Sequence, residues 1–429
     1  MKCFEKCYIN RLLDIYWYTD YISILLQNKG KIYIISAKRT AIGSFGGTLK
    51  DIPAVKLGAE VTKKVLEEAK VSPENVDEVI VGNVLMAGHG MGPGRQVSIY
   101  AGIPNEKPGY VVNMLCGSGM KSIMIGASDI RVGDADIVVA AGIESMSTSP
   151  YLLPYTSRFG SKFGHLEILD HMILDGLTDV FNNYHMGVTA ENIAKKYNIS
   201  REEQDEFAFN SQMRAKAAIE SGKFKDEIVP IEIKMKKETI IFLQDEYPRF
   251  DTSLEKLFKL KPSFVENGTV TAGNASGIND GASAVLLASE QAVEKYGLKP
   301  IAEIIGYSQA GVEPAYMGLG PVPAIKELLG KVKMSIENIG LIELNEAFAA
   351  QSLGVLRDLE NIYGKTKEWF IQRTNVNGGA IALGHPIGAS GNRIVVTLLH
   401  EMKKRNIEFG LASLCIGGGM GTAMVIRNI

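Results

Sequence analysis

Three strand-and-turn cassettes occur in the same order in the first and last thirds of the chain, and this doubling constrains the fold more than any other feature. Val79 to Gly82 is an apolar run ending in Asn83, and Ile339 to Leu344 ends in Asn345. Val111 to Gly119 passes through a cysteine and glycines into a helix-period segment, as Thr374 to Gly391 passes through a glycine-rich turn into another. Ile137 to Ala141 runs into Gly142, and Leu411 to Leu414 runs into Cys415. Few identities are shared between the copies, so the argument rests on order. Short apolar runs bounded by glycine and alternating with helical spacing read as buried strands of a mixed sheet with helices on its faces. The expected class is α/β, in two similar halves.

The first strand begins at Ile32-Tyr33-Ile34-Ile35, and Val55 to Lys70 has helical spacing. From about Ser147 to Ser276 the pattern changes. Tyr151 to Gly164 is loop-like, Ser200-Arg-Glu-Glu203 is a capping box that opens a long polar helix to Ser221, and Lys234 to Glu246 is charged and irregular. This predicts an inserted, largely surface subdomain over an active-site mouth. The expected division is an atypical extension at 1–30, a first half at 31–147 with 277–298, an inserted loop domain at 148–276 and a second half at 299–429. Within the extension, Ile22 to Leu26 is far too short to span a membrane. Its acidic residues and the lack of a small-residue cleavage site argue against a targeting peptide. An upstream start codon, a loosely held tail or a partner-contact helix are the readings left.

Lys+Arg 46 against Asp+Glu 48 gives a net charge of -2, and nothing there favours nucleic acid or an anionic membrane as the main partner. Four cysteines in 429 residues are no disulfide framework, and Cys3-x3-Cys7 lacks the further ligands of a structural zinc site. The expectation is a reduced, cytoplasmic protein without a metal.

Cys116 stands at a strand-to-helix turn with Gly117 and Gly119 after it. Unpaired N–H groups and the helix dipole there favour thiolate, so its pKa is expected below the free value of about 8.5. Alone, the site reads equally as a packed structural cysteine. His385 lies in Gly384-His385-Pro386-Ile-Gly388, between a strand and a helix in the other half, where a neutral imidazole could take a thiol proton. Cys415-Ile-Gly-Gly-Gly-Met-Gly421 adds a second thiol beside free backbone N–H groups. With no C-x-x-C motif, one nucleophile and one base fit better than a redox pair.

Together, Asn113-Met-Leu-Cys116-Gly-Ser-Gly, Asn345-Glu-Ala-Phe-Ala, Gly384-His385-Pro-Ile-Gly-Ala-Ser-Gly and Cys415-Ile-Gly-Gly-Gly-Met-Gly resemble a thiolase over about Lys31 to Ile429. Tyr184-His185-Met186-Gly187 and Thr271-Ala-Gly-Asn-Ala-Ser276-Gly match the short-chain biosynthetic branch. The resemblance implies a five-layered αβαβα fold of two similar halves with an inserted loop domain, and acetyl-CoA C-acetyltransferase activity. Cys116 would carry an acetyl group, His385 would activate it, and Cys415 would remove a methyl proton from a second acetyl-CoA to give acetoacetyl-CoA and CoA. Asn345 would hold a water that, with His385, binds the enolate oxygen, and the N–H groups of Cys116 and Gly417 would form a second oxyanion hole. His185, Met186, Phe264, Ala272, Ser276, Ile278, Ala347 and Phe348 would line the pantetheine channel, with Arg249 near the adenine end. Phe264 and Phe348 read also as ordinary core. Met186 and Phe348 would restrict the acyl group to short chains. No tightly bound cofactor is implied, and a homotetramer is. Leu359 to Arg373 is longer than in many relatives and is expected to be a surface excursion. Ketosynthases commonly carry a second histidine where this chain has Cys415, and a non-catalytic acyl-binding homologue need not keep Cys116, His385 and Cys415 together.

Overall fold

The computed structural model describes residues 30–234 and 236–429. The readings of residues 1–29, the Cys3-x3-Cys7 pair among them, lie outside the described residues.

Nine strands form the main path of a mixed sheet: β1 (Ile32–Thr40), β2 (Glu78–Gly82), β3 (Gly109–Val112), β4 (Ile137–Ser145), β5 (Asn279–Ser289), β6 (Ala302–Gly311), β7 (Leu341–Leu344), β8 (Phe409–Ile416) and β9 (Met420–Asn428). Their spatial order is β7-β8-β9-β6-β1-β5-β4-β2-β3, with Gly43–Ser44 beside β5 and Ile228–Val229 beside β1. In the first half β2 lies parallel to both β3 and β4, and β4, β5 and β1 then pair antiparallel. In the second half β7 is parallel to β8 and to a bridge at Thr374, and β8, β9 and β6 then pair antiparallel. The two patterns coincide strand for strand. Even the bulges correspond, between Ile34 and Ser36 in β1 and between Ile304 and Gly306 in β6. The halves share one ladder where Tyr33 and Ile34 pair with Glu303 and Ala302.

The helices that matter here are α1 (Ala54–Ala69), α2 (Ser118–Val132), α3 (Met186–Tyr197), α4 (Arg201–Glu220), α5 (Pro321–Val332), α6 (Ala349–Tyr363) and α7 (Ile387–Arg405). Because side chains alternate along a strand, each strand feeds two cores. Val79 and Val81 pack with Val61 and Val65 of α1, whereas Ile80 packs with Met120 and Ile123 of α2 and Ile394 of α7. Leu411 and Val425 pack with Leu328 of α5 and Leu353 of α6, whereas Ala412 and Met424 face the α2–α7 layer. The result is five layers, with α2 and α7 in the middle. Those two helices meet backbone to backbone at their first turns. A Cβ on Gly119 would lie 2.8 Å from the Asn392 nitrogen, and one on Gly391 would lie 2.5 Å from the Met120 nitrogen. Only glycine permits that approach.

The polar segments depart from expectation. The capping box of Ser200 and Glu203 forms, but α4 buries Ala208, Gln212, Ala215 and Ala218, so it packs rather than floats. Ile231–Lys234 pairs with Thr239–Phe242 and buries Ile231, Ile233 and Phe242, a period-2 signal masked by the charges between them. Leu359 to Arg373 is likewise not a surface excursion. Leu359 is buried on α6, and a short helix, Lys367–Ile371, capped by Thr366, buries Phe370 completely. Single apolar residues in polar surroundings anchor all three segments.

Candidate active site

Cys116 lies between β3 and α2, after a residue in a conformation that branched side chains seldom adopt: Leu115 has φ 49. The Ser118 hydroxyl holds that turn, accepting from the Met114 N–H at 2.8 Å and donating to the Leu115 carbonyl at 2.6 Å. The backbone N–H groups of Gly417 and of Cys116 itself favour the anionic form of the sulfur. The expected fall in pKa is nevertheless not found. Burial pushes the thiol up to about 11, outweighing both donors, and the nearby Glu144 charge adds to the rise. The helix end supplies its N–H groups in an enclosed setting, beside Leu115, Met146 and Ile387, where desolvation of an anion is the larger effect.

His385 is buried just before α7, its backbone N–H donated to Asn279 Oδ1 at 2.9 Å. Nδ1 sits 2.6 Å from Ser390 Oγ, and the buried Nε2 has no partner among the described residues. Burial, and then the positive charge of Arg393, lower its pKa to about 3. The resting pair is therefore a neutral thiol and a neutral imidazole, not an ion pair.

Cys415, near the end of β8, is fully buried, and burial followed by the charge of Cys116 raises its pKa. Asn345 is also fully buried, its N–H donated to the Ser413 carbonyl at 3.0 Å, and neither Nδ2 nor Oδ1 has a partner among the described residues. The loop after Cys415 touches the loop of Cys116. A Cβ on Gly117 would meet Ile416 at 2.4 Å, and one on Gly417 would meet Leu115 at 3.1 Å. Gly418 and Gly419, at φ 79 and 86, make the tight turn that follows Gly417.

A cavity of about 500 Å³ opens at these loops, lined by Cys116, His385 and Gly417. All nine residues expected to contact coenzyme A are on its wall: His185, Met186, Arg249, Phe264, Ala272, Ser276, Ile278, Ala347 and Phe348. His185 caps α3, its Nδ1 accepting from the Gly187 N–H at 3.0 Å, and its ring stacks on Phe264 with centroids 4.6 Å apart. Phe264 in turn meets Phe348 edge-on at 6.2 Å. Cys415 and Asn345 are not part of the wall and lie buried among the elements that form it. Sequence reasoning missed Phe45, Met146, Leu177, Tyr247, Met317 and Ile387, which also line the cavity. They come from separate segments with no shared local signal.

A doubled α/β frame with a thiol and a neutral imidazole on one cavity wall, each carried by a different half, defines a cysteine acyltransferase. The chain belongs to the thiolase family: residues 32–291 match the thiolase N-terminal domain and residues 298–428 the thiolase C-terminal domain. It is 54% identical over 399 residues to an acetyl-CoA acetyltransferase of Chromobacterium violaceum, covering 93% of this chain and 100% of that one. An Escherichia coli acetyl-CoA acetyltransferase is 51% identical over 92% of this chain and 98% of its own. Among solved structures, the Bacillus anthracis acetyl-CoA acetyltransferase superposes with TM-score 0.89 at 45% identity, covering 94% of this chain and 99% of that one. Human mitochondrial 3-ketoacyl-CoA thiolase in complex with CoA superposes with TM-score 0.88 at 46% identity over the same shares.

Proposed function

We infer that the protein is an acetyl-CoA C-acetyltransferase that joins two acetyl-CoA reversibly into acetoacetyl-CoA and CoA. The observation that carries the reading is that Cys116, His385 and Gly417 line one cavity, and that Nε2 of His385 has no partner among the described residues. In our reading His385 Nε2 takes the Cys116 proton as the sulfur attacks the acetyl carbonyl. The new C–S bond replaces the bond to CoA, and the departing CoA thiolate takes up that proton. Cys415, once its own thiol proton has passed to solvent, removes a methyl proton from the second acetyl-CoA, and the carbanion attacks acetyl-Cys116, releasing the sulfur, which regains a proton. Asn345, whose amide has no protein partner, suits a water-mediated contact to the enolate oxygen. The N–H groups of Cys116 and Gly417 serve the tetrahedral oxyanion, where one such donor is worth roughly 2.7–4 kcal/mol.

The cavity's apolar wall and the His185–Phe264 stack fit a pantetheine arm, with Arg249 toward the nucleotide end. Met186 and Phe348 limit the acyl group to short chains. We assign the chain no tightly bound cofactor and divide it into halves at 31–147 with 277–298 and at 299–429, with 148–276 inserted. We also place the enzyme in the cytoplasm and in fatty acid metabolism, as a homotetramer. Tyr151, Tyr155, Phe159 and Phe181, all strongly exposed, favour burial against further copies of the chain. Thiolysis of acetoacetyl-CoA, followed at the enolate absorbance beside Cys116→Ala, tests the reading. Turnover surviving in the variant, or faster turnover of long-chain 3-ketoacyl-CoA, would overturn it.

A further inference from the structure

The hydroxyl of Ser390 has a single hydrogen and two neighbours that could receive it, the Pro386 carbonyl and Nδ1 of His385. Oγ lies 2.9 Å from the Pro386 carbonyl, which can only accept, and we assign the hydroxyl hydrogen there. With the hydrogen so assigned, the oxygen is an acceptor toward Nδ1 of His385, 2.6 Å away, and Nδ1 carries the ring proton. A neutral imidazole protonated at Nδ1 keeps its lone pair at Nε2, the buried atom left without a partner. We propose that Ser390 is the positioning residue that fixes His385 in the Nδ1–H tautomer and so makes Nε2 the proton acceptor for Cys116.

The relay contains no carboxylate. The buried acids nearby are committed elsewhere: Glu144 accepts from Asn83, Val84, Leu85 and Gly388, and Glu346 accepts from Ser211, Asn375 and Ile381. A serine orients the ring without stabilising the imidazolium, so the proton taken from the thiol is held weakly and released to the departing CoA sulfur. The internal repeat supports the assignment. Ser118 precedes Gly119 at the start of α2 as Ser390 precedes Gly391 in the first turn of α7, and its hydroxyl also donates back to a carbonyl while accepting from upstream. The serine of one half shapes the nucleophile turn, and that of the other orients the base.

The proposal rests on His385 being the base toward Cys116, and its test separates the two. In the full-length enzyme with ¹⁵N-labelled histidine, the His385 resonances, assigned through His385→Asn, are expected to show Nδ1 protonated and Nε2 bare. An Nε2–H ring in the intact enzyme overturns the proposal, whatever the activity. Ser390→Ala is expected to lower kcat for thiolysis at least about tenfold, within the roughly 10²–10⁴ that general-base catalysis supplies, with KM changed less than about twofold. Ser390→Thr, which keeps the hydroxyl, is expected to restore most of it. A folded Ser390→Ala enzyme with unchanged kcat, or one whose loss Ser390→Thr does not repair, also overturns the proposal. Absence of thiolysis in the intact enzyme would defeat the functional reading alone, since the tautomer is read independently.

Discussion

The carboxylate of Glu144 accepts the backbone N–H of Gly388 at 2.9 Å, tying the end of β4 in one half to the loop that carries His385 in the other. The same side chain accepts from Val84 and Leu85 N–H and from Asn83 Nδ2. Glu144→Gln would point an amide NH2 at an N–H donor. It is expected to lose about 1–3 kcal/mol of stability by urea unfolding and to lower kcat, as an unsatisfied buried donor would. Unchanged stability and rate would show that the tie is dispensable.

Gly119→Ala tests the contact between the two central helices. Its methyl would meet the Asn392 nitrogen and the Gly388 carbonyl within 3 Å, where only backbone can yield. A loss of about 1–3 kcal/mol is expected, with reduced activity because the shift moves both reactive loops. Gly330→Ala in α5, where a Cβ meets nothing within 4 Å, is the control, and it should be neutral or stabilising by roughly 0.4–1 kcal/mol.

The two thiols separate by the step they serve. Cys415→Ala should still form acetyl-Cys116 from acetyl-CoA, detected by mass spectrometry, while condensation falls by about 10²–10⁴. Cys116→Ala should form no acetyl-enzyme at all. An acetylated Cys116→Ala protein, or full condensation by Cys415→Ala, would reverse the roles.

Burial of neutral His385 links stability to pH. Its pKa is near 3 when folded and near 6.5 when free, so between those values the unfolded chain binds the extra proton. The contribution is therefore fully present above pH 6.5 and is lost as pH falls toward 3, at up to about 1.4 kcal/mol per pH unit. Thermal unfolding of the intact enzyme should weaken more steeply from pH 7 to pH 5 than that of His385→Asn. Parallel profiles would mean that the ring is protonated in the folded protein.

The cassette order foretold the two similar halves because strands feeding two cores need apolar residues at most positions, a dense local signal. Ile231, Ile233 and Phe370 were not legible, since one or two apolar residues among charges carry weight only when a distant surface receives them. Tyr247 and Met317 escaped for a related reason: a cavity wall assembled from separate segments has no period along the chain.

By itself the sequence determined six of the nine main-path strands, the capped helix after Ser200, the glycine turns and the chemical identity of the groups at Cys116, His385 and Cys415. These depend on spacing and dihedral preference within a few residues. Tertiary structure alone decided that Cys116 and His385 share one cavity, that the thiol and the imidazole rest neutral, and that Nδ1 of His385 meets Ser390 while Nε2 is left without a partner among the described residues. Protonation follows from desolvation and charge summed over atoms that arrive from both halves, and no local pattern carries that sum.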